Sequence, residues 1–153
     1  MLIFARSHYF QKYVCNQFHE KTYFFLFSGV ILPTTAYILR LKPPPVRKMI
    51  DQGVIVALGT DFNPNAFCLS MPVVMHLAAV NLKMSLAETL AASTINSAHS
   101  IGRSATHGSI EIGKNADLLV LNTPKWEHLV YQFGGFNHVI DCVIKNGKVV
   151  SNK

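Results

Sequence analysis

The chain has 153 residues, enough for one domain with its own core. Half of them are hydrophobic and 14% are charged, against about a quarter charged in an ordinary soluble domain; the excess of apolar surface fits a piece meant to be covered by other parts. The net charge of +6 is spread without a Lys/Arg block or an aromatic-interleaved basic patch, so no nucleic-acid partner is expected. Cys15, Cys68 and Cys142 are odd in number and far apart. They form neither a disulfide framework nor a C-x-x-C metal site, and free thiols in a reducing compartment are expected.

Residues 1–27 are rich in Phe and Tyr, with no helical or strand period, and read as a leader distinct from the rest. Within it the run Phe24-Phe25-Leu26-Phe27 can act as a strand or stay unfolded. The apolar stretch 23–32 falls short of the ~18 residues of a spanning helix and is stopped by Pro33. It lies too far from the start for a secretory signal. No membrane partner is expected, and the cytoplasm is the default location.

Gly29-Val30-Ile31-Leu32 reads as a short buried strand, and residues 43–52 as a helix with prolines in its first turn and Gly53 as its stop. Residues 54–58 form an apolar run of the kind buried on both faces in parallel sheets. Residues 71–82 have helical spacing. Ser85-Leu86-Ala87-Glu88 is a capping box, and the Ala-rich run after it reads as one helix to Ile101, closed by Gly102. Beyond Gly108 the texture turns to β: 109–112 alternates, Leu118-Leu119-Val120-Leu121 and Cys142-Val143-Ile144 are apolar, and Asn146-Gly147 marks a type I′ hairpin into Lys148-Val149-Val150.

The buried run ends in Gly59-Thr60-Asp61-Phe62-Asn63-Pro64-Asn65. A carboxylate past the carboxyl end of such a strand stands where α/β folds place their chemistry. Asp61 can accept a proton from water or bind a cation; equally, it can turn the chain or cap the next element. Asn63 and Asn65 each carry a donor and an acceptor for a polar ligand, or supply turn chemistry alone. The histidines form no His-x-His pair. His8 and His19 have no useful spacing, His76 sits in an apolar helix, and His99, His107, His128 and His138 fall late in the chain; all read as structural. Arg40, Lys42, Arg47 and Lys48 flank the prolines and read as a solvated face. Ser104, Ser109 and Ser151 lack a Gly-x-Ser-x-Gly setting, and no phosphate-binding loop occurs.

Leu58-Gly59-Thr60-Asp61-Phe62-Asn63-Pro64 resembles the last barrel strand of the metal-dependent amidohydrolases, and within them the imidazolonepropionase family. Leu32-Pro33-Thr34-Thr35-Ala36-Tyr37, Lys42-Pro43-Pro44-Pro45, Ala91 to Ala98, the run from Gly108 to Leu118, and Tyr131-Gln132-Phe133-Gly134-Gly135 agree with it. The resemblance covers roughly residues 28–150. It implies an α/β fold. Residues 28–104 would hold the last two strands and terminal helices of a TIM-like barrel, and residues 105–153 part of a small β-sandwich. A complete barrel takes about 250 residues, so a carboxyl-terminal fragment is expected.

The implied activity is hydrolysis of 4-imidazolone-5-propanoate to N-formimidoyl-L-glutamate in histidine degradation. Asp61 would be metal ligand and proton relay, and Asn63, Asn65 and Ala66 substrate contacts. The implied cofactor is Zn or Fe. One carboxylate cannot hold such an ion, so this chain by itself is expected neither to retain metal nor to turn over. Two alternatives to a catalytic role are a non-catalytic fragment that associates with full-length subunits and an unstable truncated product. Strands at Val30 and Val54 removed from a closed barrel would have open edges, so a chain insoluble or oligomeric by itself is expected.

Overall fold

The computed structural model describes residues 2–4 and 28–152. The elements run β1 (Leu2–Phe4), β2 (Ser28–Ile31), α1 (Pro33–Ile38), α2 (Val46–Asp51), β3 (Ile55–Leu58), α3 (Met71–Asn81), α4 (Leu86–Ser93), α5 (Ile95–Ser100), β4 (Leu118–Leu121), α6 (His128–Tyr131), a 3₁₀ turn (Phe136–His138), β5 (Ile140–Lys145) and β6 (Lys148–Asn152). The strands form two sheets, a parallel pair β2-β3 and a mixed sheet in the order β1-β4-β5-β6. The α/β class expected from sequence is what forms. Of the leader, only Leu2–Phe4 is described; it lies parallel to β4 with Leu2 opposite Leu118, a strand that no period in residues 1–27 announced. Phe24-Phe25-Leu26-Phe27, Cys15, His8 and His19 lie outside the described residues.

In the parallel pair, Ser28 faces Ile55 and Ile31 faces Leu58, and the Gly59 N–H extends the ladder to the Ile31 carbonyl at 3.0 Å. β3 is the more deeply covered strand, with Val56, Ala57 and Leu58 all buried. Its second edge is not left open as the sequence suggested. The Asn96 amide donates to the Val56 carbonyl at 2.8 Å, and the Ser97 hydroxyl lies 2.9 Å from the Leu58 carbonyl. The single Ser97 proton is shared with the Ala92 carbonyl at 2.6 Å, so α5 satisfies one ladder group outright, through Asn96, and covers a second in part. β2 has no such cover among the described residues, and Val30 is half exposed.

Three local expectations are corrected. The second helix starts at Val46 rather than 43, because each proline of Pro43-Pro44-Pro45 pushes the residue before it out of the helical region. The Ala-rich helix breaks at Thr94, which adopts φ −124, ψ −94. The buried Thr94 hydroxyl donates to the Leu90 carbonyl at 2.7 Å, and the break turns Asn96 and Ser97 onto β3. Residues 109–112 run from a bend through irregular chain into a turn instead of a strand, with Ile112 fully exposed; among the described residues the alternation has no partner strand to pair with. The capping box is present, with the Glu88 N–H donating to Ser85 Oγ at 3.2 Å and the Ser85 N–H to Glu88 Oε2 at 2.7 Å. Asn146 and Gly147 both have positive φ, +49 and +76, as a type I′ turn requires.

One apolar cluster joins the two sheets. Ile31, Val56 and Leu58 meet Val74, Met75 and Ala78 of α3, and the cluster continues through Leu90 to Leu119, Leu121, Leu129 and Val130. α3 is apolar nearly all round; it buries Pro72, Val74, Met75 and Ala78 and leaves Val80 exposed. Among the described residues, no helix is long and apolar enough to cross a membrane.

Candidate active site

The carboxyl ends of β2 and β3 lie side by side, and the segments leaving them are bonded together. The buried Thr34 hydroxyl donates to the Thr60 carbonyl at 2.8 Å, and the Thr35 hydroxyl donates to Asp61 Oδ2 at 2.7 Å. Asp61 is exposed and has φ +48, the left-handed conformation that Asp tolerates better than most residues. The loop beyond it is ordered by Asn63. Its side-chain amide donates to the Asp61 carbonyl at 2.6 Å, and its Oδ1 accepts the Asn65 N–H at 2.9 Å. Asn63 and Ala66 also exchange backbone bonds of 3.0 and 3.3 Å.

The four predicted site residues therefore divide. Asp61, Asn63 and Asn65 share one polar loop at the strand ends. The Ala66 side chain is fully buried, and its N–H and carbonyl are taken by Asn63. Both polar groups of the Asn63 side chain are engaged in holding the loop, so turn chemistry and ligand contact fall on the same atoms. Thr34 and Thr35, missed in the sequence reading, are brought onto this loop. Their signal was two hydroxyls just after Pro33, a position from which such side chains bond neighbouring backbone or loops.

The cationic candidates sit elsewhere. Arg47 bonds Glu88 through both terminal nitrogens, at 2.9 and 3.1 Å, and Asp51 through Nε at 2.9 Å. These bonds, Glu88 first, raise its pKa further and commit its charge. Burial by itself would raise the Glu88 carboxyl; the bonds from Arg47 and Ser85 outweigh it and hold the group below its ordinary range. Arg40 lines a cavity of about 200 Å³ with Pro33, Tyr37, Pro43, Pro44 and Leu82, and Asp61 is not part of that lining.

Among the described histidines, His76 and His107 are held by structural contacts. His76 stacks on Phe133 with ring centroids 3.9 Å apart, and its Nδ1 lies 3.2 Å from the Val130 carbonyl. His107 is held by Thr106 and Asn115. Among the described residues, no three His, Cys, Asp or Glu side chains converge as a metal site. A catalytic metal takes about three protein ligands, so these residues by themselves do not fit one.

A second carboxylate, Asp117, is structural. Its Oδ2 accepts from Lys145 Nζ, and its Oδ1 accepts the Asn146 N–H at 2.9 Å, clasping the β5–β6 turn. The Lys145 bond first, then the Asn146 bond, hold its pKa below the ordinary carboxylate value. A lowered folded-state pKa adds stability that is complete above the unfolded value of about 4 and is lost as pH falls through the folded value. Urea unfolding should therefore show stability declining below about pH 4. Asp117→Asn should be less stable at neutral pH and flatter across that window. An identical pH slope in both proteins would contradict the clasp.

The amidohydrolase family model matches residues 13–150. The chain belongs to the amidohydrolase family. Over 126 residues it is 64% identical to a protein of Bos taurus named probable imidazolonepropionase, covering 82% of this chain and 30% of that one. It is 49% identical over 125 residues to the imidazolonepropionase of Geobacillus kaustophilus, covering 81% and 29%. Among solved structures, a zinc-bound adenosine deaminase from Xanthomonas campestris superposes with a TM-score of 0.70 at 27% identity, over 80% of this chain and 31% of that one. The chain thus spans about 30% of the length of the curated relatives it matches. The amidohydrolase match accounts for the α/β architecture of the strand pair and its helices.

Proposed function

We propose that this amidohydrolase sequence serves the hydrolysis of 4-imidazolone-5-propanoate to N-formimidoyl-L-glutamate in histidine degradation, in the cytoplasm. The observation that carries the reading is Asp61, held by Thr35 past the carboxyl end of β3, in a chain 64% identical to a probable imidazolonepropionase. On this reading β2 and β3 are the last two strands of a TIM-like barrel within residues 28–104. Residues 105–153 form part of a β-sandwich, and residues 1–27 a leader whose Leu2–Phe4 joins the β4 sheet.

Water adds to the ring carbonyl carbon and the C–N bond breaks. Asp61 takes the proton of the attacking water and returns it to the departing ring nitrogen, so atoms and charge balance. Asn63, Asn65 and Ala66 form the loop against which the substrate lies, Ala66 through its place in the turn. Zn or Fe belongs to the intact family, and the isolated chain is not expected to retain it, since Asp61 stands without further ligands among the described residues.

The test is a transplant, with residues 28–150 replacing the matching segment of the Bos taurus relative. The chimera is expected to hydrolyse imidazolone propanoate, and a folded chimera without turnover would reject the reading. The isolated chain is expected to show none.

A second reading, association with full-length subunits, is favoured by the uncovered β2 edge, where Val30 is 51% exposed, and by exposed apolar residues in the segment that follows, Tyr37 at 65% and Leu41 at 55%. An uncovered edge with apolar flanks recruits other chains. Size-exclusion chromatography at micromolar concentration should show an oligomer, or a complex with the longer enzyme. A monodisperse monomer that ignores the longer enzyme would remove this reading.

A further inference from the structure

Two successive residues leaving β2 hold two successive residues leaving β3. Thr34 bonds the Thr60 carbonyl and Thr35 bonds the Asp61 carboxylate. The Thr35 hydroxyl could serve its own helix, as first-turn hydroxyls commonly do. It reaches instead across 26 residues of sequence, and α1 has no side-chain cap. Asp61 Oδ1 has no hydrogen-bond partner among the described residues.

A carboxylate with two free oxygens rotates between equivalent states, because its terminal torsion is broad and two-fold. One donor on one oxygen breaks that equivalence. A neutral hydroxyl does so without cancelling the charge, which an Arg or Lys in the same place would. The donor is itself stiff, because a β-branched side chain has restricted χ1, and Thr34 fixes the backbone beneath it.

We propose that Thr35 is a positioning residue for Asp61: its hydroxyl engages Oδ2 and leaves Oδ1 as the one oxygen free to accept a proton or a ligand. The orientation stands on geometry; its consequence for turnover rests on the reading of Asp61 as proton acceptor.

Thr35→Val keeps the shape and removes the donor, and Thr35→Ser keeps the donor. Magic-angle-spinning NMR of the sedimented full chain, labelled at Asp, reads the Asp61 carboxyl shift tensor whatever the oligomeric state. A static tensor is expected in the natural chain and in Thr35→Ser, and an averaged one in Thr35→Val. In the transplanted enzyme, Thr35→Val should lower kcat about 10-fold with KM unchanged, and Thr35→Ser should restore it. An unchanged tensor in Thr35→Val overturns the inference, as does equal impairment of the Val and Ser variants. A changed tensor combined with full turnover in Asp61→Asn would reject Asp61 as the base and leave its positioning by Thr35 standing.

Discussion

Asp61→Asn in the transplanted enzyme is expected to lower kcat/KM by about 10²–10⁴-fold, the range lost with a positioned general base. The substitution isolates the chemistry because it spares the structure. Asn has the size of Asp and tolerates the left-handed φ of +48 found there. Its side-chain oxygen can still accept from the Thr35 hydroxyl, which lies 2.7 Å from Oδ2. What it cannot do is take a proton at neutral pH. The measurements are kcat/KM together with the thermal midpoint and bound metal. A loss of activity at an unchanged midpoint and unchanged bound metal assigns the effect to proton transfer; a loss of metal in step with activity assigns it to ligation. Near-natural activity would remove Asp61 from the chemistry. A midpoint that falls in step with activity would mean that the carboxylate mainly holds the loop.

Gly108→Ala should cost about 2–5 kcal/mol of stability, from a left-handed backbone penalty of about 1–2 kcal/mol and an overpacking cost of about 1–3 kcal/mol. Gly108 is buried with φ +94, and a Cβ there would stand 2.7 Å from the Ala98 Cβ, 2.8 Å from the Ile95 Cα and 3.0 Å from the Thr94 carbonyl oxygen. Two of the three obstacles are backbone of the helix break and cannot swing aside. Gly113 is the matching control: its φ is +91 and nothing lies within 4 Å of its Cβ position. Gly113→Ala should cost the backbone penalty only. Urea unfolding of both variants at one protein concentration gives the difference. A gap below about 0.5 kcal/mol, the usual spread of a neutral surface change, would mean that the Thr94 break can shift to make room. Because that break aims Asn96 and Ser97 at β3, Gly108→Ala should also loosen the edge cover, read as faster amide exchange in β3.

What could be read from the sequence was local. The apolar run ending in Asp61, the Ser85–Glu88 capping box and the Asn146-Gly147 hairpin each depend on residues a few positions apart, and each forms. The family was legible for a related reason: the segments that carry it are contiguous. The tertiary structure decided where pairs far apart in sequence meet. Thr35 finds Asp61 across 26 residues, and Asn96 finds Val56 across 40. Propensity favoured one unbroken helix from Leu86 to Ile101. The structure breaks it at Thr94, where the Thr94 hydroxyl bonds Leu90 and the turn that follows brings the Asn96 amide onto the Val56 carbonyl at the edge of β3. Ala66 was assigned to ligand contact by its position in a motif, yet the loop folds its methyl inward, because the Asn63–Ala66 bridge turns the chain there. A pattern of residue types specifies which groups are available, while contacts between distant segments determine which of them are already spent.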